Sequence, residues 1–477
     1  MGEAESAREF VNLAEILQKA DSYTEGKAGT NQPLARGSDV EIAQRIVEKL
    51  REAYGGNVVY CDGDFYGYDG KRWEALEEHE MRRYVHIWDG AVIVGKKEVG
   101  LNRSRIDSIL KESATILMVK DWFVGERFGI NCANGLVEFG VDGTPRLVDH
   151  EPAHRKRHVL NAEWNGPLSI KGSKLERLLT LPFLGDPEAE DKIKVIGEAG
   201  GSAATGLATK LVSPKAIVFE GEAANNGKSQ ILELCRGVLP ERAVASISPM
   251  KFDDDKYRVM LAGKMLNTSD ELGTAHAISG EIFKFVVTGN PLSARNVYER
   301  MLTFRATAQH MFACNELPSV QGGMDPGVLR RLLVLLFGRV IPEEDRIPNF
   351  ASMVLREEMP LVLSFVVDGA SRLLRQGKFT EPGSSRGALE RWANLADTVL
   401  GWLDERVVRS DNDNLQSTVA YVDYSKCTIA GGRKPYSQKV FSQKMQAAGY
   451  KPDKSGAWRG FRGIKLVSME DRIRDDI

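Results

Sequence analysis

The segment that most constrains the fold runs from Ala216 to Leu239, with the sequence AIVFEGEAANNGKSQILELCRGVL. It begins with a short apolar run that is typical of a buried strand, and from Ile231 onward it has helical spacing. Small residues fill the middle and lead into Asn-Gly-Lys-Ser. A strand, such a loop and a helix in this order form the context of a phosphate-binding loop, because backbone amides at the positive end of a helix bind anions.

Within this loop the sequence assigns individual roles. Lys228 would reach the β and γ phosphates and Ser229 would hold Mg²⁺, so we predict ATP and Mg²⁺ as cofactors. Five residues separate Gly221 from Gly227, where the usual pattern has four. The loop therefore starts at Glu222 or is one residue longer, which leaves a phosphate contact by Gly221 in doubt. The predicted nucleotide-binding residues are Glu222, Ala223, Ala224, Asn225, Asn226, Gly227, Lys228, Ser229 and Gln230.

Two further strand ends carry candidate catalytic residues. Leu261–Ser269 leads into Asp270 and Glu271, which follow Lys228 by 42 residues. Asp270 would hold the magnesium and Glu271 would polarise the attacking water, although an exposed acidic pair without a role is the alternative. The apolar run that starts at His310 ends in Asn315, whose amide could orient this water or sense the γ phosphate.

Basic residues suggest two further functions. Arg330 and Arg331 precede the apolar strand LLVLLF, where an arginine can reach the γ phosphate of a neighbouring subunit, although an ordinary ion pair is the alternative for one of them. Between the acidic pair and Asn315 the pattern predicts a helix, a Thr-Gly-Asn turn and two strands around a tip near residues 298–303. Basic and aromatic residues mix there as in single-strand binding sites. The predicted DNA contacts are Lys284, Arg295, Tyr298 and Arg300.

The chain divides into four predicted regions. Residues 1–37 contain a helix and a flexible linker, and 38–165 form an α+β domain in which Ser38 and Glu41 begin a helix as a capping box. An α/β domain with a phosphate-loop core spans 166–380. After a Gly/Ser-containing joint near 382–387, a helix at Leu389–Val408 opens a winged-helix-like basic domain at 388–477.

The basic character of the last region is local. Gly431–Leu466 contains nine Lys or Arg residues and one acid. Ser437–Ala448 reads as an amphipathic helix, and the following residues to Leu466 read as a two-stranded wing. A solvated basic surface is the alternative to DNA binding, but interleaved Trp458 and Phe461 favour DNA, with Lys439 and Arg459 as contacts.

Composition excludes several other classes. The 64 Lys and Arg residues nearly balance the 66 Asp and Glu residues, so the net charge gives no evidence of a nucleic-acid partner. Five scattered cysteines disfavour disulfides and zinc, and no apolar run approaches the roughly 18 residues of a membrane span, so we expect a cytoplasmic protein.

Asp62-Gly63-Asp64 reads as a turn, not a metal site. Pro152 disfavours a helix aligning His150, His154 and His158, so a surface loop with the basic triplet 155–157 is expected there.

The ordered motifs together resemble the superfamily 3 helicases, most closely the satellite-phage and poxvirus type of primase-helicase. GINCANGLVEF at 129–139 resembles the domain that precedes the motor in that family. Asn290, where the family usually has an acid, and the longer phosphate loop depart from the pattern.

The resemblance implies an AAA+ ring, a hexamer with ATP at subunit interfaces, whose central hairpin grips single-stranded or forked DNA. It implies replication of a phage, plasmid or other mobile element in a bacterial cytoplasm, beside a separate primase or other replication proteins. Only about 37 residues precede the first domain, too few for an intrinsic primase. The alternatives are an origin-binding initiator that uses ATP for assembly and, with less support, an RNA helicase or packaging motor.

Overall fold

The computed structural model of the chain describes residues 33–95, 97–273, 277–295, 302–321, 323–431, 435–455 and 458–467. The chain forms two compact units. The first ends at Asn165, and the second contains Val141–Thr144 and the chain from Gly166 onward. The helix expected near the amino terminus lies outside the described residues. Among the helices that the structure describes, none combines the length and apolar character needed to cross a membrane.

The first unit packs three helices together and carries small antiparallel sheets. Its sheets have the orders β1-β2-β3, β4-β5 and β6-β7-β8. The described elements are α1 (Asp39–Ala53), α2 (Glu78–His86), α3 (Arg103–Leu117), β1 (Val58–Cys61), β2 (Asp64–Tyr68), β3 (Trp73–Leu76), β4 (Val92–Ile93), β5 (Lys97–Glu98), β6 (Ile130–Cys132), β7 (Gly135–Phe139) and β8 (Pro145–Val148).

Helix α1 begins where the sequence predicts. The Ser38 hydroxyl accepts a hydrogen bond from the backbone N–H of Glu41 at 3.3 Å, which satisfies one of the free donors of the first turn. The Glu41 carboxylate does not close a reciprocal capping box. It accepts instead from the backbone N–H groups of Ala35, Arg36 and Gly37 at 2.6–2.8 Å, which ties the preceding segment to the helix.

The Asp-Gly pair at 62–63 is a hairpin turn, as its sequence predicts. Both residues have positive φ, at 53° for Asp62 and 100° for Gly63, and Cys61 pairs with Asp64 across β1 and β2. Positive φ at both central residues is the geometry of a two-residue type I′ turn. Asp62 is therefore a central residue of the turn, and Asp64 is the first residue after it.

The basic triplet between His154 and His158 differs from the prediction, because it is not simply a surface loop. Pro152–His154 is one 3-10 turn, ended by Arg155 in the left-handed region, so no continuous helix aligns the histidines. Lys156 is buried and donates to Glu126 Oε1 and to the carbonyl of Gly129, both at 2.8 Å. A buried ammonium needs such partners, and the triplet thus anchors the neighbouring segment of the same unit.

The second unit contains the remaining elements. Its helices are α4 (Lys174–Thr180), α5 (Ala189–Thr205), α6 (Lys228–Gly237), α7 (Asp255–Arg258), α8 (Gly280–Val287), α9 (Pro326–Leu329), α10 (Phe350–Gln376), α11 (Gly383–Ala396), α12 (Thr398–Arg406), α13 (Ser417–Ala430) and α14 (Gln438–Ala447). Its strands are β9 (Ala216–Glu220), β10 (Val244–Ala245), β11 (Leu266–Ser269), β12 (Ile278–Ser279), β13 (Pro291–Ala294), β14 (Leu302–Arg305), β15 (Gln309–Cys314), β16 (Val320–Gln321), β17 (Leu332–Leu336), β18 (Val407–Gln416), β19 (Pro452–Ser455) and β20 (Trp458–Leu466).

A five-stranded parallel sheet of order β10-β11-β15-β9-β17 organises this unit. Strands β9 and β17 are almost continuously apolar and buried, as expected for parallel strands that are covered on both faces. Because all five run the same way, their carboxyl ends meet at one edge of the sheet. The predicted α/β core is therefore present as a mixed α/β unit with a parallel sheet.

The segment after α10 differs from the prediction. The expected Gly/Ser joint is the start of α11, and the expected single helix at Leu389–Val408 breaks at Asp397, whose carboxylate caps α12 through the N–H of Val399 at 3.0 Å. Trp392 is buried against the parallel sheet and donates to the carbonyl of Pro318 at 2.7 Å. Long-range packing thus extends α11 onto the parallel sheet, and the predicted boundary at 388 falls within this helix.

The last elements form their own apolar cluster, which includes Trp402, Tyr424 and Phe441. Helix α14 confirms the predicted amphipathic helix, since Phe441 and Met445 are buried on one face. The predicted two-stranded wing corresponds to β19 and β20, but β20 also pairs with β18, so the sheet has three strands. The sequence does not predict β18, because its polar segment SDNDN lacks the alternation of apolar and polar residues that is typical of a half-buried strand.

Candidate active site

The loop that joins β9 to α6 stands at the carboxyl edge of the parallel sheet. Residues 222–225 are exposed, Asn225 has a left-handed φ of 58°, and Gly227 has a φ of 89° immediately before α6 starts at Lys228. Asn226 is buried, and its side-chain amide donates to the carbonyls of Ala223 at 2.8 Å and of Phe337 at 3.3 Å. The loop is thus shaped by its own side-chain hydrogen bonds and presents its outer residues to solvent.

Lys228 lies at the centre of this loop and is only 7% exposed. Its Nζ donates to the carbonyl of Gly221 at 2.7 Å and to Oδ1 of Asn315 at 3.3 Å. Burial lowers the pKa of the Lys228 ammonium from its usual range. The structure therefore brings together two residues that the sequence selected independently, 87 positions apart.

Strand geometry explains why Asn315 can reach the lysine. β15 lies beside β9 with Cys314 opposite Glu220, and the N–H of Gly221 donates to the carbonyl of Cys314 at 3.2 Å. The two strands therefore end at the same level of the sheet, at its carboxyl edge. An amide one residue beyond β15 and a loop one residue beyond β9 are then neighbours.

The other predicted loop residues divide into two kinds. Ser229 is exposed in the first turn of α6, where its hydroxyl is accessible. Gln230 faces a different partner, because its Oε1 accepts from the backbone N–H of Ala351 at 2.8 Å and so joins α6 to the start of α10. A nucleotide contact by Gln230 thus competes with this bond.

Asp270 and Glu271 follow β11 directly, on the far side of β15 from β9. Both are exposed. The Asp270 carboxylate has a partner that the sequence did not suggest: both of its oxygens accept hydrogen bonds from the guanidinium of Arg236, one of them at 3.1 Å. The paired acids are therefore at the same sheet edge as Lys228, but one of them is already engaged.

The donor set around Ser229 and Asp270 suits magnesium, which prefers oxygen ligands. Among the described residues, no group of three His, Cys, Asp or Glu side chains could hold a metal ion. Magnesium commonly takes one or two protein ligands and completes its shell with phosphates and water. A hydroxyl at the loop and a carboxylate at the same sheet edge are oxygen donors of the kind that Mg²⁺ takes.

The paired arginines before β17 differ in their surroundings. Arg331 Nη1 donates to the carbonyl of Gly327, its Nε is buried, and burial lowers the pKa of the guanidinium. Arg330 is exposed at the end of α9. The structure thus separates an arginine that is folded onto its own turn from one that faces solvent.

The predicted DNA contacts in the hairpin are only partly described. Strands β13 and β14 pair antiparallel with Ala294 opposite Leu302, and Arg295 is exposed at the end of β13. Tyr298 and Arg300 lie outside the described residues. Lys284 forms an ion pair with Asp325 at 2.7 Å, so its charge is balanced within the unit.

A polar groove of about 570 Å³ lies between the helices and the sheet of the carboxy-terminal part. The predicted DNA contacts Lys439 and Arg459 both line it and are exposed. The Ser417 hydroxyl donates to the carbonyl of Arg459 at 3.1 Å and so ties the sheet to the start of α13. The structure therefore places these two basic residues, 20 positions apart, around one groove.

The sequence analysis did not identify two residues of this site. Arg236 has an ordinary position in the last turn of α6, and only its partner at the sheet edge, Asp270, distinguishes it. Glu220 is the last residue of β9, and burial raises the pKa of its carboxyl although Arg391 lies 3.6 Å away. Glu220 could have been identified from the sequence, because it is a charged residue at the end of an otherwise apolar strand.

Comparison with known protein families gives two matches. A family described as D5 N terminal like matches residues 47–183. A family of unknown function, DUF5906, matches residues 219–331, which include the loop, Asp270, Asn315 and both arginines. No curated protein matches the chain.

Solved structures of the NrS-1 C terminal region are similar at a low level. One apo structure, called the A form, has a TM-score of 0.41 and 11% identity, and covers 86% of this chain and 96% of that chain. A second apo structure has a TM-score of 0.42 and 10% identity, and covers 90% and 99%. TM-scores this low do not establish a shared fold. It is the match at residues 47–183 that makes this chain similar to the primase-helicase-like proteins of phage DNA replication.

Proposed function

We propose that this chain is an ATP-hydrolysing DNA helicase that works as a ring-shaped oligomer in the replication of a phage, plasmid or other mobile element. The observation that carries the proposal is the contact of Lys228 with Gly221 and Asn315 at the carboxyl edge of a parallel sheet. Open α/β sheets bind their ligands at this edge. The residues expected for phosphate binding and for water activation thus converge where a nucleotide would lie.

Each residue of the edge has a chemical task in this proposal. The exposed loop amides and the Lys228 ammonium bind the phosphates, and Lys228 exchanges its bonds to Gly221 and Asn315 for phosphate oxygens. Ser229 and Asp270 would hold Mg²⁺, which would supply positive charge against the phosphates. Glu271 accepts a proton from the attacking water, and Asn315 is close enough to Lys228 to orient that water.

The different surroundings of Arg330 and Arg331 support the proposal of a ring-shaped oligomer. A finger must extend away from its own subunit, and Arg330 is exposed whereas Arg331 donates to Gly327 within its own turn. We therefore assign the finger to Arg330. In a hexamer, ATP would then lie between one subunit's loop and the Arg330 of the next.

DNA contact is proposed at two places. The hairpin of β13 and β14 would grip the strand in the channel through Arg295 and, beyond the described residues, Tyr298 and Arg300. The groove lined by Lys439 and Arg459 would bind the phosphate backbone through its positive charge. Lys284 contributes less to DNA binding, because Asp325 already balances its charge.

The groove lined by Lys439 and Arg459 also favours a second candidate function, an initiator that binds origin DNA and uses ATP only to assemble. A strand-displacement assay on forked DNA separates the two, with hydrolysis measured in the same samples. The helicase requires DNA-stimulated hydrolysis and strand separation that Lys228→Ala abolishes. Assembly on DNA with little turnover and no separation would favour the initiator, and absence of any ATP binding would exclude both.

A further inference from the structure

The last turn of helix α6 carries Arg236, whose side chain forms hydrogen bonds at the end of β11. Arg236 Nε donates to Oγ1 of Thr268 at 2.6 Å, and Nη1 donates to Oδ2 of Asp270 at 3.1 Å. Nη2 donates to the other carboxylate oxygen. The guanidinium thus forms a bidentate pair with Asp270, while the fully buried Thr268 fixes its orientation.

This pair concerns the carboxylate that the proposed function assigns to Mg²⁺. Both Asp270 oxygens already accept charge-assisted hydrogen bonds, so a cation or its water shell must compete with the guanidinium for them. Arg236 also shares α6 with Lys228, with which the helix starts. A displacement of the loop that moved this helix would therefore move Lys228 and Arg236 together.

We propose that Arg236 is a positioning residue that holds Asp270 in the metal-free protein and competes with Mg²⁺ for its carboxylate, and so sets the metal concentration that the site requires. This inference rests on the proposed nucleotide site. The competing view is an ordinary surface ion pair. The two side chains are 27% and 44% exposed, so the pair should stabilise the fold by little, and its removal is then a clean test of metal competition.

The test measures metal binding directly. Wild-type protein and Arg236→Gln are saturated with ADP, and free Mn²⁺ is followed by electron paramagnetic resonance during a titration. We expect Arg236→Gln to bind Mn²⁺ about threefold to tenfold more tightly, because an attractive competitor and a nearby positive charge are both lost. Hydrolysis should reach half of its maximal rate at a correspondingly lower Mg²⁺ concentration.

Two variants grade the effect and one serves as control. Arg236→Lys keeps the charge but not the bidentate contact, so its Mn²⁺ affinity should lie between those of wild type and Arg236→Gln. Thr268→Val removes only the bond that orients the guanidinium, and should give a smaller shift in the same direction. Arg406→Gln breaks a comparable pair with Asp423, at 3.0 Å in the carboxy-terminal part, and should leave Mn²⁺ affinity unchanged.

Unchanged or weaker Mn²⁺ binding by folded Arg236→Gln would overturn the inference. If that variant fails to fold, Thr268→Val and Arg236→Lys decide in its place, and wild-type affinity in both refutes competition. ADP binding in the presence of a chelator separates this inference from the proposed function. If wild-type protein binds no ADP, the nucleotide site itself is wrong and the inference falls with it. If it binds ADP but the variants do not shift Mn²⁺ affinity, only the role of Arg236 is wrong.

Discussion

Replacing Gly221 by alanine should damage nucleotide binding without removing any group that touches phosphate. A Cβ atom at this position would lie 2.4 Å from Nδ2 of Asn226, 2.7 Å from the carbonyl oxygen of Phe337 and 3.2 Å from Nζ of Lys228. The Phe337 oxygen belongs to the backbone beyond β17 and cannot rotate away. The loop must therefore shift, and it carries with it both the Asn226 bonds and the position of Lys228.

The size of the effect follows from overpacking. One inserted methyl group in a filled site typically costs about 1–3 kcal/mol. If this strain is relieved by displacement of the loop, the affinity for ATP should fall roughly tenfold to a hundredfold. Thermal stability should change less than ATP affinity, because the exposed loop can move while the buried strands of the sheet stay in place.

A matched control is available nearby. Gly338 follows Phe337 in the chain, yet a Cβ there meets no atom within 4 Å. Binding of a fluorescent ATP analogue to Gly221→Ala and to Gly338→Ala should therefore differ, with affinity lost only in the first. Equal, wild-type affinity in both would show that this loop does not form the nucleotide site in the way proposed, or that it accommodates a side chain at its base.

Four further predictions address catalysis and stability. Lys228→Ala should lose ATP hydrolysis while keeping its circular dichroism spectrum, and normal turnover would refute the motor assignment; Glu271→Gln should retain ATP binding and remain trapped on DNA, which a filter-binding assay detects. Mixed oligomers of Arg330→Ala and Lys228→Ala subunits should regain part of the activity, because some interfaces then pair an intact loop with an intact arginine. Failure despite demonstrated mixing would assign Arg330 a structural role. Burial lowers the pKa of His310 from 6.5 to about 3, so in this pH window the unfolded chain binds a proton that the folded chain does not. The free energy of unfolding should therefore decrease as pH falls, by up to about 1.4 kcal/mol per pH unit from this group, and His310→Gln should lose that contribution in urea titrations between pH 4 and pH 7.

Local sequence patterns predicted much of the second unit. The strand before the loop, the helix after it and the strand that precedes Asn315 lie where their apolar runs indicate, whereas the strand before Asp270 covers only Leu266–Ser269 of the expected Leu261–Ser269. Ser38 caps α1 where the sequence places the start of that helix. These features depend on residues within a few positions of one another, so the chain itself carries the information. Parallel strands also end at a common edge, which is why residues chosen at separate strand ends could be expected to meet.

The tertiary structure alone decided which side chains pair across that edge. Arg236 and Asp270 are 34 positions apart and Lys284 and Asp325 are 41 apart, and no local periodicity relates such residues. The same holds for β18, whose polar sequence becomes a strand only because β20 supplies its hydrogen-bond partners. Helix α11 likewise extends through the expected joint because Trp392 is buried against the sheet. Sequence determined the elements and the groups at their ends, whereas the contacts between distant elements, and with them the partner of the proposed magnesium ligand, depend on how those elements pack.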